Sequence, residues 1–399
     1  GRALWLGIWS SFIGGLIAGA FLVVGAVQLA EFALKFGPWE FFALFILALS
    51  IVASLSETSL VKGLITGMFG LLVTTVGTDP MMGRERLTFG VEMFKGGFAF
   101  LPILIGVYGV SQLMQDVELL QSGAGPKLDL KARLAVSHLA VLKEIFRRWG
   151  NLIRSSLIGV WIGVLPAVGG SAANIMAWDQ AKKASKYPEK FGTGIPDGII
   201  ATESANNANV GGSLITIMAF GIPGDAVTAV MLGAMIIHGI IPGPVFIMDH
   251  ADIAYGVFAA YFVAHVVMVL MQWLGVRFFI RLVNLPRHIL IPHVLVFCVV
   301  GSFALNNVMA DVWILYFFGI LGYLMVKYGF PLAPLILGVI LGDLIEINFV
   351  RSIQTDPSYT QFFTRPISLV LLVLSVLSIA IAIYQIKVQK KRELIGAAE

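Results

Sequence analysis

The sequence predicts an all-α, polytopic integral membrane protein, and three observations carry that expectation. Of the 399 residues, 58% are hydrophobic and only 13% charged, where a soluble domain carries roughly 25% charged residues. Apolar stretches close to the roughly 20 residues that span a bilayer recur along the whole length. Gly, Pro and carboxamides then interrupt several of those stretches, with 43 Gly in all. Unpaired backbone is not tolerated against lipid, so a broken helix at membrane depth must be covered by protein or line a water-filled cavity.

Membrane segments are expected near residues 7–30, 39–56, 59–77, 96–115, 155–178, 198–220, 225–240, 253–280, 289–306, 311–327, 332–349 and 366–386. That makes about 10–12 segments. Those at 155–178, 198–220 and 225–240 carry Gly, Pro or Asn interruptions, and some of them are expected to re-enter on the side they came from. Residues 127–154 read as a cytoplasmic linker, because Lys127, Lys131, Arg133, Lys143, Arg147, Arg148 and Arg154 lie there and basic loops stay on the cytoplasmic side. The tail at 387–399, with Lys387, Lys390, Lys391 and Arg392, is expected on the same side. Leu134, His138, Val141, Leu142, Ile145 and Trp149 fall on one helical face, which suits an interfacial amphipathic helix. Topology explains these charges without a nucleic-acid partner.

The chain also matches itself. Pro38 aligns with Pro286, Gly70 with Gly319 and Gly90 with Gly338, at offsets of 248, 249 and 248. Two structural repeats are therefore expected, in residues 1–126 and 155–386. On that reading, roughly 90–110 residues of the first repeat precede Gly1. The lack of an initiating Met agrees with that expectation, and no cleavable signal pattern opens the chain.

The densest chemistry lies at residues 203–244. It runs Glu203-Ser204-Ala205-Asn206-Asn207-Ala208-Asn209, then Gly221-Ile222-Pro223-Gly224-Asp225, then Gly239-Ile240-Ile241-Pro242-Gly243-Pro244. Paired broken helices build the binding sites of secondary transporters. A carboxylate can be held by helix N-termini through free N–H groups and the macrodipole. Gly169-Gly170-Ser171 and Gly224 each open a possible half-helix, and Ser171, Asn206, Asn207 and Asn209 supply hydrogen-bond donors. Gly221 and Pro223 complete the expected substrate-binding set. The structural alternative for the Asn residues is helix–helix gluing. A coupling Na⁺ would take hard oxygens, with Glu203 and Asp225 as the local carboxylates and Asn206 and Asn207 beside them. Either carboxylate could instead cap a helix.

Other polar groups are weaker candidates. Glu57 and Lys62 read as flanking a helix end, and Asp343 and Glu346 as structural or interfacial. His238 reads as a buried, hydrogen-bonded histidine before it reads as a proton shuttle. The single Cys298 excludes an internal disulfide, and it and the 14 Met read as apolar filler. No P-loop spelling is present.

The motifs match a known family. Gly163-Val164-Leu165-Pro166-Ala167-Val168-Gly169-Gly170 is similar to one of its breaks, and Tyr187-Pro188-Glu189-Lys190-Phe191-Gly192-Thr193-Gly194-Ile195-Pro196-Asp197-Gly198 to the loop that follows. With the Asn-rich run, Gly-Ile-Pro-Gly and Pro-Gly-Pro, the chain resembles the large membrane subunit of the tripartite tricarboxylate transporters. Pro166-Ala167 stands where that family usually has Pro-Gly, Asp225 stands where Ser is frequent, and the family's matching N-terminal Pro-Gly motif is not in this chain. The resemblance implies a permease of the bacterial inner membrane. It implies two partners, a small four-helix membrane subunit and a periplasmic solute-binding protein. It implies uptake of citrate or a related carboxylate coupled to Na⁺ or H⁺, with no other cofactor. Two further readings stay open: a passive channel or scaffold subunit, and an intramembrane aspartyl protease built on Asp343, although Ile340 stands where the Gly-x-Gly-Asp spelling of that chemistry has its first Gly.

Overall fold

Backbone in lipid must bond within its own segment, which favours helices throughout. The computed structural model describes residues 1–54, 59–120, 136–166, 168–283 and 285–396. In chain order the helices begin with α1 (Arg2–Ala33), α2 (Pro38–Ser54) and α3 (Leu60–Thr74). A two-stranded antiparallel hairpin follows, β1 (Gly77–Thr78) and β2 (Glu85–Arg86), with Gly77 opposite Arg86. Next come α4 (Glu92–Lys95), α5 (Phe100–Leu104), a π-helical stretch at Ile105–Val110, and α6 (Ser111–Leu120). Then follow α7 (His138–Phe146), α8 (Trp149–Val164), α9 (Gly169–Lys183), α10 (Pro196–Phe220), α11 (Ala226–Ile237) and α12 (Phe246–Asp249). The last six are α13 (Ala251–Val283), α14 (Arg287–Asn306), α15 (Met309–Lys327), α16 (Leu332–Thr355), α17 (Gln361–Thr364) and α18 (Pro366–Gly396). Seven helices among the described residues are long and apolar enough to cross a membrane, and Pro38–Ala53, Leu60–Thr74 and Val227–Ile237 are shorter apolar helices.

Two expectations about the breaks need correction. The stretch 198–220 is not interrupted: α10 runs unbroken through Asn206, Asn207 and Asn209. Isolated Asn costs a helix only a few tenths of a kcal/mol, and the surrounding Ala, Ile and Met keep the helix going. The stretch 225–240 holds the continuous helix α11, so its break precedes it. The stretch 155–178 is broken as expected, between α8 and α9. The interfacial helix is shorter than the sequence pattern. Val141 and Ile145 of α7 are buried, but Trp149 opens α8 and is 64% exposed, so it does not share that face. Leu134, Lys127, Lys131, Arg133 and Glu57 lie outside the described residues.

The chain divides into two compact units. One holds residues 1–35 and 125–285, the other 36–124 and 286–399. These units cut across the sequence-order segments 1–126 and 155–386, since each takes part of both.

In the first unit α10 is the central element, packed by α1, α8 and α9. The α8–α10 crossing is made by small residues. A Cβ on Gly159 would lie 2.8 Å from Ala208 Cβ, and one on Gly212 would lie 3.0 Å from Gly163 Cα. Backbones this close gain dispersion contact where lipid provides no hydrophobic drive between helices. Gly159→Val should therefore force the helices apart at a cost of about 1–3 kcal/mol. Thermal unfolding in detergent measures it, and an unchanged midpoint would refute the tight crossing. At the basic end, Arg2 pairs with Glu144 at 2.5 Å and Arg148 with Asp197 at 2.9 Å, while Asn151 Nδ2 donates to the Asp197 carbonyl at 2.9 Å. These bonds tie α7 to the starts of α1, α8 and α10.

In the second unit Gly70 of α3 packs on Gly338 of α16, and Gly106 packs on Gly319 of α15. Gly70 and Gly319 are the pair matched in the sequence, and each packs against a glycine of a different helix. The match of Gly90 with Gly338 does not hold at the level of elements: Gly90 lies in a loop with φ +75°.

Candidate functional site

The site is built in the first unit where two helix breaks meet α10. α8 ends at Val164 because Leu165 precedes a proline and takes extended backbone, φ −79° and ψ 125°, the region a residue before Pro prefers. Pro166 is buried; Ala167 lies outside the described residues. The chain re-enters helix at Gly169, whose φ of +77° suits glycine alone among common residues. α9 then starts with Val168 as its N-cap and no side-chain cap. Its first N–H groups are left for another acceptor, with Ser171 exposed at the third position and Gly170 half-buried.

The second break follows α10. Gly221 closes that helix in the left-handed region, φ +71°, and Ile222, Pro223 and Gly224 are buried beyond it. Asp225 caps α11 in a full capping box. Its carboxylate accepts from Thr228 N at 2.8 Å and from Thr228 Oγ1 at 2.7 Å, and Thr228 Oγ1 accepts from Asp225 N at 3.0 Å. A third donor comes from α10: Asn209 Nδ2 reaches Asp225 Oδ2 at 3.0 Å. Thr216 of α10 satisfies the other break, donating to the Val164 carbonyl at 2.9 Å.

The breaks converge. A Cβ on Gly170 would sit 2.6 Å from Asn206 Oδ1 and 3.8 Å from Asn209 Nδ2, and one on Gly169 would sit 3.7 Å from Asp225 Cβ. Gly169, Gly170, Asn206, Asn209 and Asp225 are thus brought together. Asn206 is exposed and Asn209 is 1% exposed, so one amide faces outward and the other inward. The N-termini of α9 and α11 bring their positive dipole ends to this place.

Glu203 and Asn207 do not join that cluster. They lie one turn apart on α10 and turn toward α1 and α13. Ser11 Oγ donates to Glu203 Oε2 at 3.0 Å, and Asn207 Nδ2 donates to the Glu203 carbonyl at 3.3 Å. Tyr261 Oη bonds the Gly15 carbonyl at 3.1 Å, and His265 Nδ1 donates to the Tyr261 carbonyl at 2.9 Å, with the two rings 4.4 Å apart. Ser11, Tyr261 and His265 escaped the sequence reading. The available signal was Tyr261 and His265 four apart in an otherwise apolar helix.

The remaining candidates lie elsewhere. His238 is exposed at the C-cap of α11, so it is not a buried histidine. In the second unit Glu346 forms a two-pronged pair with Arg86, at 2.5 and 3.0 Å. Lys62 Nζ donates to the Tyr328 carbonyl at 2.5 Å. Cys298 is only half-buried, on α14. Groups of three or more His, Cys, Asp or Glu fit to hold a metal ion are not found among the described residues.

Comparison with known proteins adds the following. The model of the tripartite tricarboxylate transporter TctA family matches residues 1–337. The chain is 34% identical over 401 residues to the uncharacterized 52.8 kDa protein in the TAR-I ttuC' 3' region of Agrobacterium vitis, covering 100% of this chain and 78% of that one. It is 33% identical over 236 residues to the uncharacterized protein in the TAR-II ttuC' 3' region of the same organism, covering 59% of this chain and 97% of that one. No solved structure matches.

Proposed function

Because the chain belongs to the tripartite tricarboxylate transporter TctA family, we propose that it is the permease of a binding-protein-dependent secondary transporter, importing tricarboxylates or related carboxylates on a cation gradient. Membership makes it a subunit of a multi-pass membrane transporter that works with other subunits, in a transporter family and not an enzyme family. The finer reading places it in the bacterial inner membrane, beside a small four-helix subunit and fed by a periplasmic solute-binding protein.

One observation supports the substrate class most: the N-terminus of α9 has no side-chain cap while exposed Asn206 stands against Gly170. Free N–H groups, the Ser171 hydroxyl and the Asn206 Nδ2, whose companion Oδ1 is the atom against Gly170, form a donor set for a carboxylate that needs no lysine or arginine. α11 differs, because Asp225 already occupies its N-terminus. The anchor is therefore at Gly169, Gly170, Ser171 and Asn206, with Asn209, Gly221, Pro223 and Gly224 shaping its floor.

Coupling follows from energetics. Moving an anion inward against a negative-inside potential costs about 2.3 kcal/mol per charge per 100 mV. A di- or trivalent carboxylate therefore enters with more than one cation. Glu203 and Asp225 are the carboxylates on hand for that role, and Na⁺ is preferred to H⁺.

The test is uptake of a panel of radiolabelled carboxylates by the full complex in proteoliposomes, under an imposed Na⁺ gradient, a pH gradient, or neither. Accumulation under the Na⁺ gradient alone is expected. Equal flux in all three conditions, without need of the binding protein, would make the protein a passive channel and end this reading.

A further inference from the structure

Two arginines near the start of α8 are treated in opposite ways. Arg148, at the helix start, is paired twice, with Asp197 at 2.9 Å and Glu144 at 3.3 Å. Arg154 lies farther along the same apolar helix, about 7.5 Å beyond Trp149, where a charge is costlier and needs a partner more. Among the described residues no carboxylate pairs with it. Its Nη2 donates to the neutral Asn151 Oδ1 at 2.9 Å, and its Nε is buried and unbonded.

Arg154 lines a groove of about 470 Å³ that is otherwise nearly all apolar. Trp149, Ile153, Leu157 and Trp161 recur at every fourth residue of α8 along it, and Met176 joins them from α9. All five are exposed, Trp161 at 69%. Side chains on a helix lean toward its N-terminus, and the bond to Asn151 shows Arg154 doing so. The guanidinium therefore lies at the level of Trp149, and an exposed Trp at a helix end marks the membrane interface. The groove has the pattern of an amphiphile, with a cation at headgroup depth and an apolar floor running inward.

Two features favour a lipid over a membrane helix as the occupant. From Trp149 to Trp161 the groove rises about 18 Å, close to one leaflet of a hydrocarbon core roughly 30 Å thick. Membrane helices dock on small residues, and Gly159 and Gly163 of α8 are turned to α10, while large side chains face the groove. We propose that the groove holds an anionic phospholipid of the leaflet on the basic side of the protein, with its phosphate on Arg154 and an acyl chain along Leu157 and Trp161. The guanidinium fork matches phosphate oxygens, and basic pockets between membrane helices on the cytoplasmic side suit anionic headgroups. The lining comes from α8 and α9, so the lipid touches both arms of the break that precedes Gly169. This binding does not depend on the transport reading.

The experiment titrates phosphatidylglycerol, phosphatidylcholine or inorganic phosphate into the full chain purified in a neutral detergent. Native mass spectrometry reads the retained lipid, and thermal melting reads the unfolding midpoint. Phosphatidylglycerol is expected to be retained and to raise the midpoint, and phosphatidylcholine to do neither at the same concentration. Arg154→Gln is expected to raise the half-saturating phosphatidylglycerol concentration about tenfold or more, and Arg154→Lys to raise it less. Arg147→Gln removes an exposed charge outside the groove and should leave it unchanged. If Arg154→Gln does not fold, Trp161→Ala decides: that side chain is exposed, and its loss shortens the apolar seat, so retention should fall. Equal retention of the two lipids by the wild type would overturn the site, as would wild-type half-saturation in Arg154→Gln or Trp161→Ala. Equal losses in Arg147→Gln and Arg154→Gln would reduce it to general attraction by basic charge and overturn it too. Inorganic phosphate that stabilises as strongly as phosphatidylglycerol would overturn the lipid in favour of a free anion. Displacement of the lipid when the full complex assembles would overturn it in favour of a partner's helix.

Discussion

An Asp225→Ala variant is expected to lose transport and to unfold at a lower temperature than the wild type. The carboxylate accepts from Thr228 N, Thr228 Oγ1 and Asn209 Nδ2. Losing an N-cap costs about 0.5–2 kcal/mol, and leaving the buried Asn209 amide without its acceptor costs about 1–3 kcal/mol more. The break at Gly221–Gly224 would then lose what fixes α11 against α10. Asp225→Asn separates the two roles. Asn caps helices as well as Asp does, so the fold should survive while the charge is lost. Thermal unfolding and uptake, measured together, check both variants. An Asp225→Asn protein that transports at the wild-type rate would show that Asp225 only caps.

Asn206→Ala is expected to lower uptake roughly 10- to 150-fold, the equivalent of the 1.5–3 kcal/mol carried by a hydrogen bond to a charged group. Stability should hardly change, because the side chain is exposed and such substitutions stay within about ±0.5 kcal/mol. Asn207→Ala should do much less. Its amide already donates to the Glu203 carbonyl of its own helix, at 3.3 Å. From the sequence the two neighbouring Asn residues look interchangeable as carboxylate donors. In the helix they are about 100° apart, and only Asn206 faces the start of α9. Radiolabelled uptake at equal expression decides it. Equal losses in both variants would refute this assignment of faces.

The all-α membrane class was legible from composition alone, because a bilayer accepts few backbone solutions and each needs a long apolar run. The broken segment at 155–178 was legible too, from Leu165-Pro166 and the paired glycines. Asp225 was readable as a helix cap, since it follows Gly224 and precedes an apolar run. The break inside 198–220 was misread, because a cluster of Asn looks like loop composition while each Asn weakens a helix only slightly. The match of Gly90 with Gly338 was misleading, because Gly90 lies in a loop at φ +75° while Gly338 packs inside α16 against Gly70.

What the sequence determined by itself is the set of residue types and their order along the helices: which segments can span, where backbone must break, and which carboxylates and amides lie near those breaks. Which of them meet was decided only by tertiary structure. Glu203 and Asn209 are six residues apart, yet Glu203 turns to Ser11 while Asn209 turns to Asp225. Gly163 and Gly224 are 61 positions apart, yet the Gly163 carbonyl oxygen packs against Gly224. The physical reason is that α8, α10 and α1 approach through glycine and alanine faces, and those close crossings fix the rotation of α10 about its axis. That rotation sends each polar side chain to its partner, and it depends on packing between distant segments that no local pattern records.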